Sequence, residues 1–229
     1  MLFRSENKGV KYKWVASSLW EPNSADDEPL EDKYNLLKNY PDNWLMDEKN
    51  NGDVMLRENL MDFAKKTKKQ ITLYTSDLGF DVSSDYNNQE LLQLPAHVGQ
   101  MLSGVLTLKK GGHMVVKQYT AFESCTISYI YAFSTMFDEF YICKPHTSRE
   151  ANSETYLVGK GLKKQISIDH PYVITMLDRM KNDLKVPLFD QSIYGKKFLE
   201  AIESACDAIF RRQIKKIKHD IEQARACVK

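Results

Sequence analysis

Apolar positions alternate along the chain between short compact runs and longer stretches with helical spacing. Lys13 to Leu19 (KWVASSL) predicts a strand. The polar stretch Glu21 to Asp53 holds three prolines and several Asn and Asp residues. It predicts loop, with a helical piece near Lys33 to Lys38. Leu60, Met61, Phe63 and Ala64 give Glu58 to Lys68 the spacing of a helix, and Ile71 to Thr75 is a compact strand ending at Ser76-Asp77. Asn88 to Lys109 carries a helical stripe through Leu91, Leu92, Val98, Met101, Leu102, Val105 and Leu106. Pro95 should kink that helix or mark its start. Gly111-Gly112 should end it. His113 to Tyr119 then predicts a strand, Glu123 to Met136 a helix, and Glu139 to Cys143 and Thr155 to Gly159 two more strands. Beyond them Val173, Ile174, Leu177 and Met180 line one helix face. A last helix from about Ile193 turns Phe198, Ala201, Ile202, Ala205 and Ile209 inward.

Strands separated by crossover-length helices imply an α/β domain: a mostly parallel sheet with helices on both faces. Ligands of such sheets gather beyond the carboxyl ends of the strands. The polar residues just after each apolar run therefore become the candidates for chemistry.

Composition narrows the picture only slightly. With 229 residues, 42% apolar and 28% charged, the chain has room for one sizeable domain with an extension. No apolar run approaches the roughly 20 residues of a membrane span, and MLFRSENKGVKYKW does not read as a secretory leader. Cys125, Cys143, Cys206 and Cys227 are widely spaced without a CxxC pair, a pattern of reduced, packing thiols in a cytoplasmic protein with no metal site. Net charge is +1, but it is unevenly spread. Ala25 to Asp32 is acidic, whereas residues 196–229 carry nine Lys/Arg against five Asp/Glu. Arg211, Arg212, Lys215, Lys216 and Lys218 are the densest part, either a solvated helix face or a surface for phosphates.

Three ionisable residues stand at strand ends. Asp77 follows ITLYTS, Lys117 ends HMVVK, and Glu154 opens TYLVG. Singly, each reads as a loop cap or a snorkelling side chain. Together they place a cation between two carboxylates. A lysine acts as a base once its pKa, about 10.4 unperturbed, is lowered; burial or a second cation lowers it and carboxylates raise it. Methyl transfer to an alcohol needs such a base, because a hydroxyl is a weak nucleophile at neutral pH.

The words around the trio are more specific. KPHTSREANSETYLVGKGLK (Lys144 to Lys163), TSDLGFD (Thr75 to Asp81), GGHMVVK (Gly111 to Lys117), and GDV followed by ENL (Gly52 to Leu60) occur in an order and spacing that resembles FtsJ-like RNA 2′-O-ribose methyltransferases. The likeness covers roughly residues 14 to 165 and is nearest the mRNA cap-1 type, found in eukaryotes and large cytoplasmic DNA viruses. It implies a Rossmann-like methyltransferase fold, S-adenosylmethionine as cofactor and capped mRNA as substrate. Within the family's Lys-Asp-Lys-Glu tetrad, Asp77 resembles the acid, Lys117 the second lysine and Glu154 the glutamate. The resemblance also marks Asp53 and Asp77 as cofactor contacts. Asn87, Asn88, Gln89, Ser148, Arg149 and Asn152 resemble RNA contacts.

Two departures shape the expectation. The family's glycine-rich cofactor loop, DxGxxPGG, has no counterpart: Gly9, Gly52, Gly79, Gly99 and Gly104 are isolated. Lys8, Lys11 and Lys13 fall where the family's second strand begins, so none resembles the first tetrad lysine. The chain is therefore expected to begin inside the domain, without the first strand, and to bind cofactor weakly unless an N-terminal segment joins it. Residues 1–165 are expected to form the partial methyltransferase domain, and 166–229 a helical extension packing on it. Two other readings remain: a degenerate module binding RNA or a capping component, and a methyltransferase of ribosomal or transfer RNA. The last helix, with Ile209, Ile214, Ile217 and Ile221 amid charge, packs in cis or pairs with another subunit.

Overall fold

The computed structural model describes residues 13–20, 32, 34–82 and 85–227. The chain divides into two compact units, residues 1–53 and 54–229. Lys8, Lys11 and most of the acidic run that starts at Ala25 lie outside the described residues.

In the first unit, Ala16 and Trp44 form an isolated parallel bridge. The Ala16 amide donates to Asn43 O, and the Leu45 amide to Ala16 O, each at 2.8 Å. The strand expected over Lys13 to Leu19 is thus an extended segment with a single bridge. Its partner segment is interrupted by a 3-10 turn at Pro41–Asn43, and the proline has no N–H to extend a ladder. The expected helical piece is one turn, Leu36–Asn39, started by the Asp32 carboxylate, which accepts from the amides of Leu36, Leu37 and Lys38. Trp14 packs edge-on against Tyr40 and Trp44, at 5.5 and 6.5 Å between ring centres. Gly52 sits at φ +83°, where an added Cβ would fall 1.9 Å from Ser18 O. No other residue fits that turn.

The second unit contains α1 (Arg57–Lys66), β1 (Ile71–Ser76), α2 (Gln89–Thr107), β2 (Leu108–Gln118), α3 (Ser124–Ser134), β3 (Phe137–Cys143), β4 (Thr155–Leu162), α4 (Pro171–Lys181) and α5 (Lys196–Cys227). The strands make one sheet in the order β1-β2-β4-β3, flanked by helices. β1 and β2 run parallel, linked through α2, whereas β4 is antiparallel to both β2 and β3. Among the described strands the sheet is therefore mixed rather than mostly parallel. A parallel return from β3 would need a crossover helix, and residues 144–154 between β3 and β4 form only a loop.

Two further expectations change. Gly111-Gly112 does not terminate α2, which ends at Thr107; it lies within β2. Ile71 pairs with Leu108 but Leu73 with His113, so the residues between form a bulge, with Gly111 at φ +77°. Pro95 lies inside α2 instead of starting it. The helix continues because it is held on nearly every side: Leu94, Ala96, Val98, Met101, Leu102 and Val105 are each at most 3% exposed. On α4 the buried set is Val173, Met176 and Leu177, with Ile174 turned outward. On α5 only Ile202 is fully buried, and Ala201 faces solvent. No helix of the described residues is long and apolar enough to cross a membrane.

Candidate active site

The strand order brings the three polar ends to one edge. Ser76 of β1 pairs with Val116 of β2, so Asp77 comes level with Lys117. Because β4 runs antiparallel to β2, its first residues lie beside the last of β2: Lys117 pairs with Tyr156 and Gln118 with Thr155. Glu154, just before β4, therefore flanks Lys117 on the side away from Asp77.

Lys117 Nζ lies 2.9 Å from Asp77 Oδ1 and 3.7 Å from Glu154 Oε2. Tyr156 Oη reaches across β2 and donates to the same Asp77 Oδ1 at 3.0 Å. The lysine side chain is 13% exposed and the Asp77 side chain 72%, so the cation is tucked under an acid that stays open to solvent. Burial pulls the Lys117 ammonium down, but the bond to Asp77, with the charges of Asp77, Tyr119 and Glu154, outweighs it and leaves the pKa raised. The bond from Lys117, joined by Tyr156, holds the Asp77 carboxyl low against the opposing effect of burial. Burial first, then the bond to Asp77, pushes Tyr156 up to about 12, so it remains a proton donor at neutral pH.

α2 holds the floor of this edge with polar side chains at i, i+4 and i+7 of an otherwise apolar helix. Gln93 Nε2 donates to Phe80 O, in the loop after Asp77, at 2.6 Å. Gln100 Nε2 donates to Lys117 O at 2.6 Å. His97 between them is buried, its ring centre 5.5 Å from that of Tyr119. Burial, then the Lys117 charge, lowers its pKa to about 4, so the imidazole is neutral behind the lysine. On the same helix, the buried Glu90 carboxylate accepts from Thr120 Oγ1 and from the amides of Phe122 and Glu123. It fixes the loop that leaves Lys117 and caps the entry to α3.

The other sequence candidates separate. Gln89 joins the site's rim: Ser153 Oγ donates to its Oε1 at 3.1 Å. Asn88 folds back, its Nδ2 donating to Asp85 Oδ2 at 2.7 Å, and Asn87 is exposed in the 3-10 turn Tyr86–Asn88. Ser148 and Asn152 point into their own loop, whereas Arg149 is exposed. Asp53 belongs to the first unit, where its amide donates to Asn51 Oδ1 at 3.2 Å.

The pattern of the FtsJ-like methyltransferases matches residues 5–162. The chain belongs to that family. It is similar to "Probable methyltransferase EP424R" of African swine fever virus (isolate Pig/Kenya/KEN-50/1950), 42% identical over 213 residues, covering 88% of this chain and 49% of that protein. It is also similar to the mouse "Cap-specific mRNA (nucleoside-2'-O-)-methyltransferase 2", 30% identical over 225 residues, covering 95% of this chain and 29% of that protein. The corresponding Drosophila melanogaster enzyme is 26% identical over 230 residues, 94% of this chain and 32% of its own length. The chain thus spans about half the length of the viral relatives and about a third of the animal ones.

Two residues of this candidate site had no role assigned from the sequence. Tyr156 lies two positions after Glu154, and the period of a strand puts both on one face. Lys144 opens the loop and anchors it: Nζ donates to Asn152 Oδ1 at 2.7 Å, Glu154 O at 2.8 Å, Asn152 O at 3.0 Å and Ser148 Oγ at 3.2 Å. Ser148 Oγ in turn lies 3.1 Å from Glu154 Oε1, to which it donates. Burial lowers the Lys144 pKa, with Glu154 and Glu150 opposing. Lys144→Met leaves these acceptors without their donor and is expected to cost about 3 kcal/mol, read from the urea midpoint. Lys144→Arg is not expected to restore it, since a planar fork does not replace a point donor among four converging oxygens.

Proposed function

We propose that this methyltransferase moves a methyl group from S-adenosylmethionine to the ribose 2′-oxygen of capped mRNA, forming cap-1. The reading is carried by the lysine held between two carboxylates at the open strand ends, with Lys117 Nζ 2.9 Å from Asp77 and 3.7 Å from Glu154. The names of the mouse and fly relatives favour a capped message over other RNA.

The cofactor supplies an electrophilic methyl carried on a positively charged sulfur. The residues present fit that end of it. Asp77 offers an exposed carboxylate, and both of its described bonds fall on Oδ1. Gly79 brings the backbone close beneath it, where a Cβ would sit 3.1 Å from Tyr119 Oη and 3.8 Å from Lys117 Nζ. Asp77 and the Gly79 backbone would border the methyl-bearing end.

As the free amine, Lys117 would accept the 2′-hydroxyl proton at Nζ while the oxygen takes the methyl group and the carbon–sulfur bond breaks, the sulfur leaving as a neutral thioether. In the free protein its carboxylate neighbours keep the ammonium charged. Covering the edge with RNA removes water from it, and a second positive charge beside it acts in the same direction. Asp77 and Glu154 hold the amino group in line, and Tyr156 fixes Asp77. Gln89 and Arg149 face the RNA, while Ser148 and Asn152 shape the loop that presents it. The compartment is proposed to be the cytoplasm, in keeping with four cysteines that are all free thiols.

The second reading is a methyltransferase-like module that binds RNA or a capping component without methylating; absence of a DxGxxPGG loop from the complete gene product would favour it. Rates of methyl transfer to capped, uncapped and structured RNA separate the possibilities. Transfer to capped RNA alone is expected. Equal transfer to structured uncapped RNA would favour a ribosomal or transfer RNA substrate, and binding without transfer would favour the inert module.

A further inference from the structure

α5 lies wholly beyond the part of the chain matched by the family, residues 5–162. Its first half docks on the sheet side of the loop after Lys117. Ile202 is buried, Cys206 Sγ lies 3.7 Å from Ala121 O, and Phe210 meets Phe122 edge-on at 6.1 Å. One turn later Gln213 Nε2 donates to Ala151 O at 3.1 Å. That bond ties the helix to the loop carrying Arg149, Asn152 and Glu154. Glu154 comes three positions after Ala151, a span of at most about 11 Å.

The charge of α5 is concentrated at this point. Residues 208–219 contain Arg211, Arg212, Lys215, Lys216 and Lys218, and no Asp or Glu. Two of the five are neutralised within the helix: Arg211 by Asp207 and Lys216 by Asp220, each at 2.6 Å. Arg212, Lys215 and Lys218 are exposed and have no acidic partner among the described residues. Arg212, Lys215 and His219 stand at i, i+3 and i+7, on one face, with Lys218 bordering it. A face built only for solubility mixes its signs along the helix, as the first turns of α5 do with Lys196 and Glu200. Here unpaired like charges crowd the segment that touches the loop before Glu154.

We propose that Arg212, Lys215 and Lys218, continued by Arg149 on the loop, form a phosphate-binding rail that holds the RNA chain as it leaves the ribose at Lys117. The inference rests on RNA being the substrate. Each cation that meets a phosphate displaces a counterion, so the rail contributes to the salt dependence of binding as well as to its strength.

The test is an Arg212→Ala/Lys215→Ala/Lys218→Ala variant, compared with the unaltered protein for binding to a capped single-stranded RNA over a range of salt concentrations. A weakening of at least about 10-fold at low salt is expected, with a plot of log K against log salt shallower by about 2. An Arg212→Lys/Lys215→Arg/Lys218→Arg variant should restore both. A capped dinucleotide, with no chain to reach α5, should be weakened far less than the longer RNA. Unchanged affinity and slope for the longer RNA overturn the rail, even where the unaltered protein methylates capped RNA. The reverse pattern, a shallower slope in the variant but no methyl transfer by the unaltered protein, keeps the rail and overturns the assigned activity. Absence of RNA binding by the unaltered protein overturns both.

Discussion

Replacing Lys117 with methionine should lower the rate of methyl transfer by about 1,000-fold, within the range usual for loss of a general base. The substitution keeps most of the side-chain volume and removes the one amino group that lies between Asp77 and Glu154. Binding of RNA should change little by comparison, since the proposed phosphate contacts lie elsewhere. The loss should therefore fall on kcat rather than KM. Far-UV circular dichroism and the urea midpoint check that the fold survives: the Lys117 side chain makes two ion pairs at the sheet edge, while the Lys117 carbonyl bonded to Gln100 belongs to the backbone and is retained. A variant that is folded, binds RNA and still transfers methyl at more than a tenth of the original rate would remove Lys117 from the chemistry.

The second large effect is on pH dependence. Asp77 and Glu154 raise the Lys117 pKa above its ordinary value, so the free base is scarce at neutral pH and the rate should climb as pH rises. Asp77→Asn removes the charge, and weakens the bond, that contribute most to that rise, and the ascending limb should move to lower pH. The maximal rate should nonetheless fall by about 100-fold, because a neutral amide oxygen in place of the carboxylate at 2.9 Å holds the amino group less firmly in line. The sign for stability is separate. With its folded pKa raised, Lys117 contributes stability that is complete below the ordinary lysine range and is lost as pH climbs through the raised value. With its folded pKa lowered, Asp77 contributes stability above the ordinary carboxylate range and loses it as pH falls through the lowered value. A limb that stays in place in Asp77→Asn would mean that it does not report Lys117.

Much of this was legible in the chain because strand ends are marked by sequence. ITLYTS and HMVVK each run into a polar residue and TYLVG starts from one, and the register of β1, β2 and β4 converts those three ends into one cluster. The family words added the chemistry that three ionisable residues alone do not name. What escaped was whatever depended on partners distant in sequence. Lys144 opens one of the family words, but its role shows only when the loop closes around its amino group. Gln93 and Gln100 interrupt the apolar stripe of α2, and their bonds to Phe80 O and Lys117 O support the edge from below. The glycine pair at 111–112 matched a helix stop because local conformation is all that periodicity senses; the long β2 was decided by pairing with β1. Direction was the other loss. Alternating strands and helices suggest parallel pairing, and only the short return through residues 144–154 turns β4 around and sets Glu154 beside Lys117.

The most direct test is methyl transfer to two capped RNAs that differ by one oxygen, a ribose or a 2′-deoxyribose at the first transcribed nucleotide, with the product mapped by nuclease digestion. Transfer to the first RNA at the 2′-oxygen of that nucleotide, and none to the second, is the expected result. Equal transfer to both, or a methyl group found on a base, would contradict the assignment of this edge to ribose chemistry at cap-1.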